Sequence, residues 1–326
     1  MKRPFMPSLK IVLAIALLFI AYFATALLGL SFYPQNFSTY LWPPAGIALA
    51  ALLLFGYSLW PGVALGALAV AISIGLSPIA AIFSLTGATL QALVGTWLLR
   101  DYFKIEYSFG RLYDTVVFLC VTIGIALIHA LLGSAGLVID HEIPRQAFSN
   151  AFGERWVANT LSMLVFTPLI LTWFTFGKTI KRPVQISERL LFILFLCVVD
   201  TLVFASPYGS EHRYTAYLAV FPLMWSTLRF GPRGKTTAIF LTACIAMIAT
   251  VFGRGPFAMD DIVSALISVQ TFVATVTIIF LLFAAVEEEL TRARAELEEY
   301  VDKLEHALQE TRDGKPSDLP ETELSQ

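Results

Sequence analysis

Ionisable side chains are rare in the apolar stretches of this chain, and each of them is a candidate for chemistry. Asp200 is the clearest case, since it lies within the apolar stretch LFLCVVDTLVFA. An unpaired carboxylate is costly in such surroundings, so we expect it to be neutral, paired or turned toward water. A second interpretation stays open, because Ser206 and Pro207 follow closely and would place Asp200 near a membrane surface.

The other polar candidates are one histidine and three amides. His129, in IGIALIHALLG, is suited either to binding a ligand or to packing with a hydrogen bond. Hydrogen bonding between helices is the simplest role for Gln91, Asn159 and Gln270. We predict an interior polar pocket whose candidate residues are Gln91, Asn159, Asp200, Gln270 and His129.

Patterns typical of catalytic sites are missing from the sequence. It contains no glycine loop for nucleotides, no His/Cys cluster with metal-ligand spacing and no nucleophile triad. Asp260 and Asp261 are adjacent, so they cannot flank a substrate as paired carboxylates, and His306 stands alone in a charged helix. We therefore expect no enzymatic activity, no cofactor and no metal.

The elements that must position these residues are membrane helices. Hydrophobic residues make up 57% of the chain and charged residues 14%, with a mean hydropathy of +0.73. Soluble domains carry about a quarter charged residues. Lys and Arg exceed Asp and Glu by 6 up to residue 286, whereas the remaining tail has a net charge of −8. An acidic tail argues against nucleic acid as a partner.

The apolar segments predict an all-α, polytopic bundle of eight to ten spans with the lipid bilayer as its partner. They cover residues 10–30, 41–55, 59–76, 78–99, 113–138, 156–176, 189–205, 214–229, 235–252 and 263–286. The second and third are short, and a re-entrant pair is the alternative to two full spans. The stretch 143–156 is predicted to lie along the membrane surface as an amphipathic helix.

The distribution of positive charge predicts the orientation. With the N-terminus in the cytoplasm, 13 Lys and Arg residues fall on the inner side and four on the outer side. Both termini are then cytoplasmic, and the expected location is the bacterial inner membrane.

Tryptophan and proline mark the starts of two short spans. Trp42-Pro43-Pro44 precedes one apolar run and Trp60-Pro61 the next. Tryptophan collects at membrane interfaces, and proline is tolerated in a first helical turn. We expect both corners to fix helix ends. The full set of motif residues is Trp42, Pro43, Pro44, Gly46, Trp60, Pro61, Gly62, Phe230, Gly231 and Pro232.

The tail changes to a heptad pattern. Leu290, Leu297 and Leu304 are seven residues apart and alternate with a second row that includes Tyr300. Residues 287–311 are therefore predicted to form a cytoplasmic coiled coil that continues the last span and joins two copies. The alternative is a solvated helix that only follows this span. Residues 312–326 are predicted to be disordered.

Several of these segments resemble a known family. LWPPAGIALAALLLFGYSLWPG at 41–62, Arg155-Trp156, FPLMWSTLRFGPRG at 221–234 and GRGPFA at 253–258 are similar to the bacterial membrane-associated sensor domains of the first type. The resemblance covers residues 10–286. It implies a sensory input module of the kind fused to histidine kinases or diguanylate cyclases, and it implies such an enzyme as a possible partner in trans. We expect no output domain in this chain.

The chain departs from the family pattern at two positions. Gln91 and Asn159 are neutral amides where the family typically has acidic residues, so the signal is expected to differ or the site to be degenerate. A small-solute transporter is the alternative function. It is favoured by Asp200, by the short broken spans and by a faint repeat that relates Gln91 to Gln270.

Overall fold

A computed structural model describes residues 8–31, 41–175, 185–206 and 209–312, and this part of the chain is helical without strands. Its ten α-helices are α1 (Ser8–Ser31), α2 (Pro43–Phe55), α3 (Trp60–Ser73), α4 (Pro78–Thr96), α5 (Leu112–Ile139), α6 (Phe148–Thr175), α7 (Ile186–Phe204), α8 (Val220–Arg229), α9 (Gly231–Val251) and α10 (Ile262–Arg312). A π-helical turn, Trp97–Tyr102, extends α4.

Each predicted apolar segment overlaps one of these helices. Six of them, α1, α4, α5, α6, α9 and α10, are long and apolar enough to cross a membrane. With 13 and 14 residues, α2 and α3 are about 20 Å long, shorter than a bilayer core of about 30 Å. The choice between eight and ten full spans, and the cytoplasmic placement of the termini, therefore stay predictions.

The two Trp-Pro corners begin helices as the sequence predicts. Trp42 is the N-cap residue of α2, which opens with two prolines, and α3 begins at Trp60. Gly56 ends α2 with a φ of 99°, a backbone conformation that favours glycine, and a 3-10 turn at Tyr57–Leu59 leads into α3. The corner is thus a sharp turn between two short helices.

The predicted surface helix at 143–156 is wrong. A 3-10 turn covers Arg145–Ala147, and α6 then runs without interruption from Phe148. The stretch 148–155 contains polar residues that lower its mean hydropathy, but it makes the first two turns of α6. A smaller correction concerns α8, which begins at Val220 rather than near 214.

Small residues bring the helices of the first half close together. On α3, a Cβ at Gly62 would lie 2.9 Å from the Ile15 carbonyl oxygen of α1, and one at Gly66 would overlap the ring of Tyr22. Gly46 of α2 lies against α6 in the same way, where its N–H donates to Ser162 Oγ at 3.1 Å. Such close contacts are typical of helices in membranes.

Polar contacts at one end of the bundle join α6 to the second half. The hydroxyls of Thr172 and Thr236 are 2.9 Å apart, and Arg233 of α9 donates to carbonyl oxygens of Thr172 and Trp173. These carbonyls lie in the last described turn of α6. Arg233 therefore fixes α9 beside this end of α6.

The last helix leaves the bundle without a break. α10 has 51 residues, as the absence of proline and glycine predicts, and Leu290, Leu297 and Leu304 are exposed along it. The coiled coil itself stays a prediction. The predicted disordered tail lies, from residue 313 onward, outside the described residues.

Candidate functional site

A cavity of about 40 Å³ lies among the first six helices. Helices α1, α3 and α4 contribute apolar walls and Ser84, whereas α5 and α6 contribute its strongly polar groups. Its lining consists of Leu30, Trp42, Val70, Ala71, Ile74, Leu76, Ser84, His129, Arg155, Ala158 and Asn159. The polar groups meet one another in otherwise apolar surroundings, as in ligand pockets generally.

A second, smaller cavity of about 10 Å³ shares His129 and Asn159 with the first. Tyr22 and Gln91 also line it. The structure therefore brings together three of the five residues that the sequence singled out, namely Gln91, His129 and Asn159. All three are at most 4% exposed.

Hydrogen bonds fix the orientation of the histidine. Asn159 donates from Nδ2 to the Arg155 carbonyl oxygen at 2.6 Å, so its Oδ1 is left as an acceptor. His129 Nδ1 lies 3.2 Å from that oxygen. A neutral His129 must then carry its proton on Nδ1 and present Nε2 as an acceptor.

Buried polar atoms at the two cavities lack partners. His129 Nε2, Gln91 Oε1 and Arg155 Nε have no hydrogen bond. The Gln91 amide reaches only the Met163 sulfur, at 3.6 Å. Leaving a buried polar atom unpaired costs about 1–3 kcal/mol. These unpaired atoms can form hydrogen bonds with a molecule that enters the cavities.

Arg155 is the cation of the site. A Cβ at Gly133 of α5 would lie 3.2 Å from Arg155 Nη1 and 3.7 Å from His129 Nε2, so this glycine lets both groups approach α5. In the part of the chain that the structure describes, no carboxylate forms an ion pair with Arg155. The guanidinium is thus available to an anion.

Arg155, in the stretch 143–156 that was predicted to lie on the membrane surface, was not predicted to be a site residue. Because α6 begins at Phe148, Arg155 lies one helical turn before Asn159 and shares its face. The spacing of four residues was the signal that could have identified it.

Asp200 and Gln270 lie elsewhere. Asp200 is fully buried, and Thr242 of α9 donates to its Oδ2 at 2.6 Å. It is four residues from the end of α7, but it faces protein rather than water. Gln270, on α10, takes part in a polar contact of its own. Neither residue lines either cavity.

The motif residues take different positions. Trp42 lines the larger cavity, whereas Trp60 is 48% exposed. Phe230 packs against Phe192 at 4.5 Å between ring centroids and precedes Gly231, whose φ of 64° forms the corner between α8 and α9. Pro232 lies in the first turn of α9. Within the described residues, no three His, Cys, Asp or Glu side chains are grouped as metal ligands.

The family comparison agrees with this architecture. A family model described as MASE1 matches residues 12–290, which confirms the resemblance drawn from the Trp-Pro segment. No curated protein and no solved structure matches the chain.

Proposed function

We propose, from the premise that this chain belongs to the MASE1 family of membrane sensory domains, that it perceives a small ligand in its bundle and passes the signal along α10. The family match makes it a membrane sensory input module with several apolar helices. The route of the signal, the cytoplasmic termini and the bacterial inner membrane are further parts of the proposal.

The observation that carries the proposal is the course of α5. His129 lies at the cavities, and Leu112, the first residue of the same helix, contacts α10. The two residues are 17 positions apart, or about 26 Å along the helix axis. A shift or rotation of α5 at the cavities would therefore reach α10 directly.

The contact between α5 and α10 is polar and local. Glu289 accepts a hydrogen bond from the Leu112 N–H at 3.2 Å, at the helix end where amides lack partners. Glu288 packs on Gly110, where a Cβ would lie 2.6 Å from its carboxylate carbon. A carboxylate is favoured at a helix N-terminus, so these glutamates hold α10 against α5.

A buried lysine completes this junction, which we define as Gly110, Leu112, Lys235, Glu288 and Glu289. Lys235 of α9 is 2% exposed and interacts electrostatically with Glu288. Glu288 thus lies between Gly110, which precedes α5, and Lys235 of α9, so a movement of α5 relative to α9 would change its contacts. The junction is thus a suitable point at which to couple the bundle to the tail.

The tail is proposed to join two copies of the chain. Leu290, Leu297 and Leu304 form one exposed apolar row, and two such rows can pair as a coiled coil. A histidine kinase or a diguanylate cyclase is the proposed partner that receives the signal. We propose no enzymatic activity for this chain, and the family match does not favour the transporter alternative.

Cysteine cross-linking of the full chain in membranes tests both the dimer and the coupling. Leu297→Cys is expected to form a disulfide between two copies, whereas Asp302→Cys, on the opposite side of the heptad, is not. Lys235→Met and Glu289→Gln, added to Leu297→Cys, are expected to change the cross-linking rate about fivefold or more.

Glu305→Gln is the matched control, because it removes a carboxylate from the same helix outside the junction. It is expected to leave the rate unchanged. Equal cross-linking at positions 297 and 302 would contradict the coiled-coil dimer. Junction variants that behave like the control would contradict the route through α5.

A further inference from the structure

We propose that the polar groups of α4, α5 and α6 form a binding site for a small carboxylate that also carries a hydrogen-bond donor. This inference rests on the proposed sensory function and names the chemical class of the ligand. The site consists of Arg155, His129, Asn159, Gln91 and Ser84.

Arg155 supplies the charge. It lines the larger cavity and forms no ion pair within the described residues, and its Nε is buried without a hydrogen bond. The planar guanidinium matches the two oxygens of a carboxylate, with two parallel N–H donors. The neighbouring Glu154 interacts with this cation only through its longer-range Coulombic field, and no carboxylate among the described residues contacts it, so a ligand carboxylate would supply the missing ion pair.

His129 selects the second group of the ligand. Because its Nδ1 faces the Asn159 oxygen, a neutral ring presents Nε2 as an acceptor, and this atom is buried without a partner. Gln91 Oε1, at the adjoining cavity, is a second unpaired acceptor. A hydroxyl hydrogen on the ligand would satisfy these acceptors, whereas a ligand with acceptors alone would not.

The size of the cavity limits the ligand. A water molecule needs about 10–15 Å³ on this scale, so a cavity of about 40 Å³ has room for about three. A carboxylate with a backbone of two or three carbon atoms fits this space. The surrounding walls of Leu30, Val70 and Ile74 are apolar and favour a ligand without further charges.

Equilibrium dialysis of the full chain in lipid nanodiscs tests this site with glycolate, acetate, acetamide and inorganic phosphate as probes. Glycolate has both the carboxylate and the donor, so it is expected to bind most tightly, with a Kd near the millimolar range. Acetate lacks the donor and is expected to bind more weakly. Acetamide lacks the charge and is expected not to bind.

Variants assign the binding to the proposed residues. Arg155→Gln is expected to weaken glycolate binding at least about tenfold, whereas Arg145→Gln, at an exposed arginine in the turn before α6, is expected to have no effect. Ser84→Asp places a carboxylate in the cavity and is expected to abolish binding by occupying Arg155. This variant keeps the test decisive if Arg155→Gln does not fold.

Three results would overturn the proposal: no binding of glycolate at tens of millimolar, acetamide or phosphate binding as tightly as glycolate, or unchanged glycolate binding in folded Arg155→Gln or Ser84→Asp. Any of these would leave unaffected the cross-linking of Leu297→Cys and its response to the junction variants. The ligand class and the sensory route are therefore tested separately.

Discussion

Two groups of buried polar side chains in this bundle differ in how many of their polar atoms have hydrogen-bond partners. Around His129 and Asn159, between α4, α5 and α6, several polar atoms face cavities without partners. Asp200, between α7 and α9, lines neither of these two cavities, and Thr242 donates to its Oδ2 while Oδ1 alone lacks a partner. The first group is the one that we propose to bind an added molecule, whereas the second lies outside both cavities. Burial alone does not distinguish the two.

The largest expected effect concerns the close contact between α2 and α6, next to the first group. In Gly46→Ala, the new Cβ would lie 2.5 Å from the Ser162 carbonyl oxygen of α6, which also carries Asn159. We expect a loss of about 1–3 kcal/mol in the free energy of unfolding, because backbone cannot move aside easily. Thermal unfolding in detergent, followed by tryptophan fluorescence, measures the effect.

Gly124→Ala is the control for this substitution. Gly124 lies in α5, and a Cβ added there would have no atom within 4 Å, so alanine is expected to be neutral or slightly stabilising. If both variants melted alike, the contact between α2 and α6 beside the cavities would be able to adapt to the added methyl group.

The contact between Thr242 and Asp200 gives the next prediction. Thr242→Val removes the donor and leaves a fully buried carboxylate with neither oxygen paired, which is expected to cost about 1–3 kcal/mol. Thr277→Val is the matched substitution, since the Thr277 hydroxyl is equally buried but has no partner. It is expected to be nearly neutral. Comparable losses in the two variants would show that the hydrogen bond does not stabilise this region.

Much of the fold was predictable because local chemistry determines it. Apolar runs and prolines gave the helices and several of their first residues, as at Pro43 and Pro78. The extension of α6 to Phe148 was not predicted, because the mean hydropathy of a segment does not show on which side of a helix its polar residues lie. The polar face that carries Arg155 and Asn159 is visible only in their spacing.

The division of the polar residues into two groups could not be predicted. Asp200 and Asn159 look alike in the sequence, as single polar residues in apolar spans. Whether they meet depends on which helices are neighbours, and a single sequence gives no information on this. The cavities depend further on small residues such as Gly133, whose role appears only once Arg155 and His129 approach it.

The same substitution, glutamine to leucine, at Gln91 and at Gln270 compares the two halves of the bundle. Gln91 Oε1 is unpaired, so Gln91→Leu is expected to keep or raise the melting temperature while it weakens glycolate binding. Gln270 takes part in a polar contact, so Gln270→Leu is expected to lose about 1 kcal/mol and to bind glycolate normally. Melting curves and dialysis on both variants check this. The reverse pattern would assign the binding function to the second half.

The smallest effect is expected outside the membrane, at the start of α10. Asp261 accepts hydrogen bonds from the Ser264 hydroxyl and from the N–H groups of Ser264 and Val263. These bonds, chiefly those from Ser264, hold the pKa of the Asp261 carboxyl below its usual range. A lowered pKa in the folded state means that the cap contributes stability above the pKa of the unfolded chain and loses it as the pH falls through the folded value.

Hydrogen exchange at the Val263 and Ser264 amides measures this cap. After correction for the intrinsic rate, their protection is expected to fall upon acidification in the unmodified chain. In Asp261→Asn, which keeps a side-chain acceptor but cannot titrate, it is expected to be independent of pH in the acidic range. Asp260→Asn is the control. In this variant the protection of the two amides is expected to fall upon acidification, as in the unmodified chain. If the protection also fell upon acidification in Asp261→Asn, another titrating group would cause the pH dependence. The start of α10 would then be held by packing against the bundle instead of by its cap.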